Sequence, residues 1–162
     1  MFNETITQKF DHELAKYPAE QRVSAVMSCL TIVQQAQGWV SADSIKAVGA
    51  YIGMPAIAVQ EVATFYNMYN QKPVGTFKLN VCTNLPCQLR NGQAALQYLQ
   101  DSLGVAKGGT TADGLFTVQE SECLGACADA PVMLVNDIHM CSFMSNDKLD
   151  TLVAGLRTQA GA

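Results

Sequence analysis

Four of the six cysteines stand in two close pairs, Cys82 with Cys87 and Cys123 with Cys127, and 35 residues separate the pairs. No other feature constrains the fold as strongly. Thiol pairs that far apart in sequence meet only where the fold brings two loops together, and four converging thiolates make a tetrahedral or iron–sulfur site.

Composition narrows the setting. A chain of 162 residues with 49% hydrophobic content has enough apolar side chain for one domain or two small ones. Ten Lys and Arg stand against 14 Asp and Glu, for a net charge of −4. No basic run stands out, so nucleic acid is excluded as the expected partner. The longest mainly apolar stretch, Ala25 to Val33, is about half a membrane span and includes Ser28 and Thr31, so no direct membrane insertion is expected. The opening Met-Phe-Asn-Glu-Thr has no basic, apolar or Arg-rich targeting character. The expectation is a cytoplasmic protein whose thiols stay reduced, which weighs against disulfides.

Two regions follow from the periodicity, residues 1–73 and 74–162. In the first, Ile6, Phe10, Leu14 and Tyr17 predict a helix stopped by Pro18, and Val23, Val26, Met27, Leu30 and Val33 predict a second that ends at Gly38. Ser41 or Asp43 caps a third helix bearing Ile45, Val48 and Ile52. After Pro55, the residues Ala58, Val62, Phe65, Tyr66 and Tyr69 line one face of a fourth. Core packing accounts for these stripes, with partner docking by the aromatic fourth helix as the alternative.

Past Lys72-Pro73-Val74-Gly75 the pattern changes to strands at Thr76–Cys82, Leu115–Gln119, Val132–Val135 and Ile138–Phe143. One helix is predicted over Cys87–Leu103. Another begins at Ser145 or Asn146, and Asn136-Asp137 reads as a two-residue hairpin turn. The order β-α-β then β-β-α is that of a thioredoxin-like core. The fold class expected is therefore α+β: an N-terminal helical bundle, then a βαβ-ββα domain.

Both cysteine pairs then fall at one end of the sheet. Cys82 ends the first strand, and Cys87 opens the following helix, where an Asn84 cap and the helix dipole favour a thiolate. Cys123 and Cys127 follow the second strand, with Gly125 allowing a tight loop whose N–H groups point at sulfur. Spacing alone leaves three readings open. The gaps are looser than the usual zinc knuckle and differ from plant-type ferredoxin spacing, so iron–sulfur, zinc, and free or disulfide-linked thiols all remain.

The flanking residues carry more. Val81-Cys-Thr-Asn-Leu-Pro-Cys-Gln-Leu-Arg-Asn-Gly92 and Glu122-Cys-Leu-Gly-Ala-Cys-Ala-Asp-Ala-Pro-Val-Met-Leu-Val-Asn136 closely resemble the thioredoxin-like [2Fe–2S] ferredoxin subunits of NADH:quinone oxidoreductase, respiratory complex I. Upstream, Val33-Gln-Gln-Ala-Gln-Gly-Trp-Val40, Val62-Ala-Thr-Phe-Tyr-Asn-Met-Tyr69 and Pro73-Val-Gly match the same family, so the resemblance covers residues 20 to 158. It implies one [2Fe–2S] cluster with Cys82, Cys87, Cys123 and Cys127 as its ligands. It further implies an electron-transfer subunit of an oxidoreductase, not catalytic alone and peripheral to the inner membrane through its complex. Close relatives serve NAD-linked hydrogenases and formate dehydrogenases as well.

The remaining residues are read plainly. Arg90, one turn after Cys87, either offsets cluster charge or faces water; Leu85 and Leu124 either shield a cluster or fill the core. Cys29 and Cys141 read as core residues, and His12 and His139 have no nearby cysteine pair to complete a site. With no Gly-x-Gly-x-x-Gly or Gly-x-x-x-x-Gly-Lys motif, FMN and NADH are expected on a flavin- and NADH-binding partner chain of the same complex.

Overall fold

The computed structural model describes residues 2–161, and the chain divides into two compact units, Met1–Pro73 and Val74–Ala162. The first is helical: α1 (Glu4–Leu14), a 3₁₀ turn (Ala19–Ala25), α2 (Val26–Gln37), α3 (Ala42–Ile52) and α4 (Ala56–Phe65). Local chemistry sets these boundaries. The Asn3 side chain accepts from the Ile6 N–H at 3.0 Å and the Ser41 hydroxyl from the Ser44 N–H at 3.1 Å, each relieving a helix N-terminus of an unpaired donor. Helix α2 stops at Gly38 and α3 at Gly53, both left-handed, as helix C-termini favour. Phe10, Leu14, Leu30, Val33, Ile45, Val48, Ile52, Val59 and Ala63 form its core. Gly49 permits the close α3–α4 corner, because a Cβ there would lie 2.6 Å from the Met54 carbonyl oxygen.

The fourth helix departs from its expected face. It ends at Phe65, and Tyr66 is extended, so Tyr69 reaches the core from the turn beyond. Its buried positions are Val59 and Ala63; Phe65, two residues on from Ala63, turns away and is 81% exposed. Val23 also leaves its expected stripe, since it lies in the exposed 3₁₀ turn.

The second unit is built on a four-stranded sheet of order β2-β1-β3-β4, from β1 (Phe77–Cys82), β2 (Phe116–Ser121), β3 (Met133–Val135) and β4 (His139–Cys141). Strands β1 and β2 are parallel, with Cys82 opposite Ser121; β3 and β4 are antiparallel to their neighbours. Helices α6 (Gly92–Leu103) and α7 (Asn146–Ala160) bring Ala95, Leu96, Leu99 and Leu149 onto Phe77, Leu79, Val81, Phe116 and Val118. On the alternate positions, Lys78, Asn80 and Thr117 are buried but polar. Lys78 pairs with Asp137 at 2.5 Å, Asn80 donates to the same carboxylate at 2.5 Å, and the Thr117 hydroxyl meets that of Thr110 at 2.7 Å.

Two further expectations change. The helix over 87–103 is broken: α5 (Leu85–Leu89) ends before Asn91, whose left-handed φ of 69° interrupts the helical path before α6 begins. The β3–β4 turn has left-handed Asn136 and Asp137 at its centre, but its closing pair is Val135 with His139, one residue longer than a two-residue loop. Among the described residues, no helix is long and apolar enough to cross a membrane.

These placements predict a contrast within the helical unit. Leu30→Ala, at a fully buried site, should cost about 2–5 kcal/mol of unfolding free energy. Phe65→Ala should change it by less than about 0.5 kcal/mol, both read by urea denaturation.

Candidate metal centre

The parallel pairing of β1 and β2 delivers both cysteine pairs to one end of the sheet. Cys82 is the last residue of β1, and the backbone leaves β2 at Ser121, two residues before Cys123. Cys87 follows within α5, whose start is set by Asn84, its side-chain oxygen accepting from the Leu85 N–H at 2.9 Å. Cys127 opens a 3₁₀ turn (Cys127–Asp129), and Gly125 between the second pair has a left-handed φ of 81° that a side chain would strain.

The pairs differ in burial. Cys82 and Cys87 are buried against Ala130 and Val132, with Leu124 and Ala126 alongside, whereas Cys123 and Cys127 are exposed. The Cys123 and Cys127 sulfurs lie 3.5 Å apart. Two thiolates on one tetrahedral metal at 2.3 Å stand about 3.8 Å from each other, so this pair is already close to chelating distance. Cys82 and Cys127 both raise the Cys87 thiol, and Cys127 feels both Cys123 and Cys82, so the two pairs lie within electrostatic reach of each other. Among the described residues, no three His, Cys, Asp or Glu side chains converge on a single ion. A binuclear iron–sulfur core asks for two sulfurs at each iron, and two close pairs meet that demand.

Acidity follows the same geometry. Burial pushes the Cys87 thiol up, with the Val132 N–H opposing and Cys82 and Cys127 reinforcing the shift. The Cys127 thiol is also raised, first by its hydrogen bond with Cys123. The thiolate expected at Cys87 from a helix N-terminus is therefore not favoured in the thiol form of the site. Helix α5 has only five residues, and burial outweighs it. The N–H groups acting on sulfur include those of Val132 and Cys127 itself.

Of the other residues, Leu124 packs beside the buried pair, while Leu85 is 63% exposed. Arg90 is exposed at the α5–α6 corner. Cys29 is in the helical unit, buried, with its thiol pushed up to about 12 by burial; Cys141 is half-buried in β4 and raised for the same reason. Sequence reasoning passed over the polar contacts between the loops. Thr83 donates to Glu120 at 2.5 Å and Asn84 to Glu122 at 2.9 Å. Their signal was the carboxylates at alternate positions 120 and 122, opposite two polar residues that continue β1.

With this geometry in view, comparison with known proteins is specific. The model of the thioredoxin-like [2Fe-2S] ferredoxin family matches residues 10–157, and the chain belongs to that family. It is 40% identical over 147 residues to NADH-quinone oxidoreductase subunit 2 of Thermus thermophilus, covering 91% of this chain and 81% of that one. It is 37% identical over 153 residues to an NADH-quinone oxidoreductase subunit of Rhizobium meliloti, covering 94% and 89%. Among solved structures, an NAD+-reducing [NiFe]-hydrogenase in the H2-reduced state shares the fold. The TM-score is 0.71 at 19% identity, over 83% of this chain and 22% of that chain.

One glycine guards the buried pair. A Cβ on Gly92 would lie 2.7 Å from the Cys82 carbonyl oxygen and 2.9 Å from that of Cys87. Gly92→Ala should therefore displace the backbone of both cysteines and lower the iron bound per chain, measured by metal analysis, while the helical unit keeps its circular dichroism.

Proposed function

We propose that Cys82, Cys87, Cys123 and Cys127 hold one [2Fe–2S] cluster, each sequence pair on one iron. In this reading the chain is the electron-transfer subunit of a complex I-type NADH:quinone oxidoreductase and exchanges single electrons with FMN on a neighbouring NADH-binding subunit. The observation that carries the reading is the meeting of two close cysteine pairs at the ends of adjacent parallel strands. Family membership and the relatives named as NADH-quinone oxidoreductase subunits support it.

When bound, the cluster supplies a site that takes up and gives back one electron. The chain's own residues do the rest. Strand β1 and helix α5 hold one pair, and the loop after β2 holds the other. Ala130 and Val132 keep water from the buried pair, and the Val132 N–H offsets negative charge on Cys87. The exposed side of Cys123 and Cys127 leaves a short approach for a redox partner. A hydride brings two electrons and this site takes one, so a flavin has to stand between NADH and the chain. The sequence has no glycine-rich cradle for either cofactor's phosphates, so this reading puts both on the partner. In the same reading the chain is peripheral to the inner membrane through its complex.

The decisive experiment is iron and sulfide analysis with EPR of the reduced protein. Two irons and two sulfides per chain with a reduced-state signal are expected; a colourless protein with one zinc overturns the reading. Changing any of Cys82, Cys87, Cys123 or Cys127 to Ala should remove or destabilise the cluster, whereas Cys29→Ser and Cys141→Ser keep full iron content. The isolated chain should show no NADH:ferricyanide turnover, and appreciable turnover without flavin would refute the division of labour.

A further inference from the structure

The two cysteine-bearing loops are joined by more than the sheet. Beyond Cys82 the ladder runs one step further, the Thr83 N–H donating to the Ser121 carbonyl at 3.2 Å. Two side-chain bridges cross the same seam: the Thr83 hydroxyl donates to Glu120 Oε1 at 2.5 Å, and Asn84 Nδ2 donates to Glu122 Oε2 at 2.9 Å. Lys107 pairs with the second oxygen of Glu120. The Asn84 side chain works at both ends. Its oxygen accepts from the Leu85 N–H and starts the helix of Cys87, while its nitrogen grips the residue immediately before Cys123.

We propose that the Asn84–Glu122 bridge is the positioning contact that sets the spacing between the two cysteine pairs and so governs how long the chain retains its cluster. The inference rests on the four cysteines being the cluster ligands. Residues 122–126 lie in neither strand nor helix, so side-chain contacts decide where this loop starts. The bridge is exposed, and exposed polar contacts add little to global stability. A multidentate metal site is more demanding, because its ligands must stay within a fraction of an ångström of a fixed geometry. The signature of this bridge is therefore altered retention of the cluster with unchanged folding.

Two substitutions separate geometry from charge in the full-length chain. Glu122→Gln and Glu122→Ala remove the same charge, but the glutamine carbonyl still accepts from Asn84. Loss of the cluster's visible absorption to an iron chelator should be about fivefold faster in Glu122→Ala, the factor that one typical hydrogen bond is worth, with Glu122→Gln within about twofold of the parent. Both should raise the midpoint potential alike, since each removes one negative charge near the site. Equal retention by the two variants overturns the proposal.

A second pair tests the other partner. Asn84→Asp keeps a helix-capping oxygen but sets it against Glu122, and Asn84→Asp with Glu122→Gln restores a bridge of reversed direction at the parent's net charge. Retention should fall in the single variant and recover in the double; a double variant as poor as the single overturns the proposal. Amide hydrogen exchange on the metal-free chain reads the bridge without any cluster. Exchange across residues 84–88 should quicken in Glu122→Ala and not in Glu122→Gln, and the absence of that contrast counts against the bridge alone. Failure of the parent chain to take up iron and sulfide counts instead against the ligand assignment.

Discussion

Thiols crowded at one end of a sheet resist ionisation, and the second unit bears that cost at Cys87 and Cys127. Cys127 is raised by its contact with Cys123, and Cys87 by burial with Cys82 and Cys127 adding to it. The scaffold therefore has to impose the proximity. It does so by pairing β1 with β2 in parallel, Cys82 opposite Ser121, so that the backbone leaves both strands at the same end of the sheet. The pairing is in turn anchored by α6 and α7, whose leucines cover Phe77, Leu79, Val81, Phe116 and Val118. Apolar burial on one face of the sheet thus provides the free energy that holds polar, mutually unfavourable groups at its edge.

The other polar feature of the sheet serves the same end from a distance. Lys78 is almost fully buried, and a buried ammonium is tolerated only with a close partner, which Asp137 supplies at 2.5 Å. Asn80 shares that carboxylate, while the Asn136 side chain accepts from the Lys78 N–H at 2.7 Å and donates to the Thr76 carbonyl at 3.1 Å. These contacts tie the β3–β4 turn to β1 and fix β3 in register, Leu79 opposite Val135 and Val81 opposite Met133. Val132, one residue before β3, is thereby placed to accept from the Cys82 N–H at 3.1 Å and to present its own N–H to Cys87. The chain of dependence runs from a turn to a strand to a sulfur.

Much of this was legible in the sequence because it rests on short-range signals. Capping at Ser41, the glycine stops at Gly38 and Gly53, and the strand runs all follow from local preference and periodicity. The family was legible from the residues flanking the cysteines, and its expected fold, α+β with a thioredoxin-like domain, is the fold observed. What failed was set by tertiary context. The face of α4 was misread because apolar residues continue past the point where Tyr66 turns extended, so periodicity ran on where the helix did not. The break at Arg90-Asn91 was hidden because asparagine enters the left-handed region without a sequence flag as plain as glycine. The contacts of Asn84 and Thr83 with Glu122 and Glu120 span more than 35 residues, and no local rule pairs them.

Six cysteines share this chain, and acidity does not by itself separate the four that are paired from the two that are not. Burial holds the Cys29 thiol near 12 and raises that of Cys141, which suits inert core residues. Yet burial also raises Cys87, one of the four residues at the site. The difference is company. Cys87 shares its buried cluster with Cys82 and feels a backbone N–H at its sulfur, whereas burial is the one cause acting on Cys141, and Cys29 has no second thiol beside it in the helical unit's core. A metal that binds two thiolates at once gains chelation that a lone thiol cannot offer, and its positive charge reverses the penalty that proximity imposes on the bare thiols. Pairing, enforced by two parallel strands, is what sets these four apart from the other two.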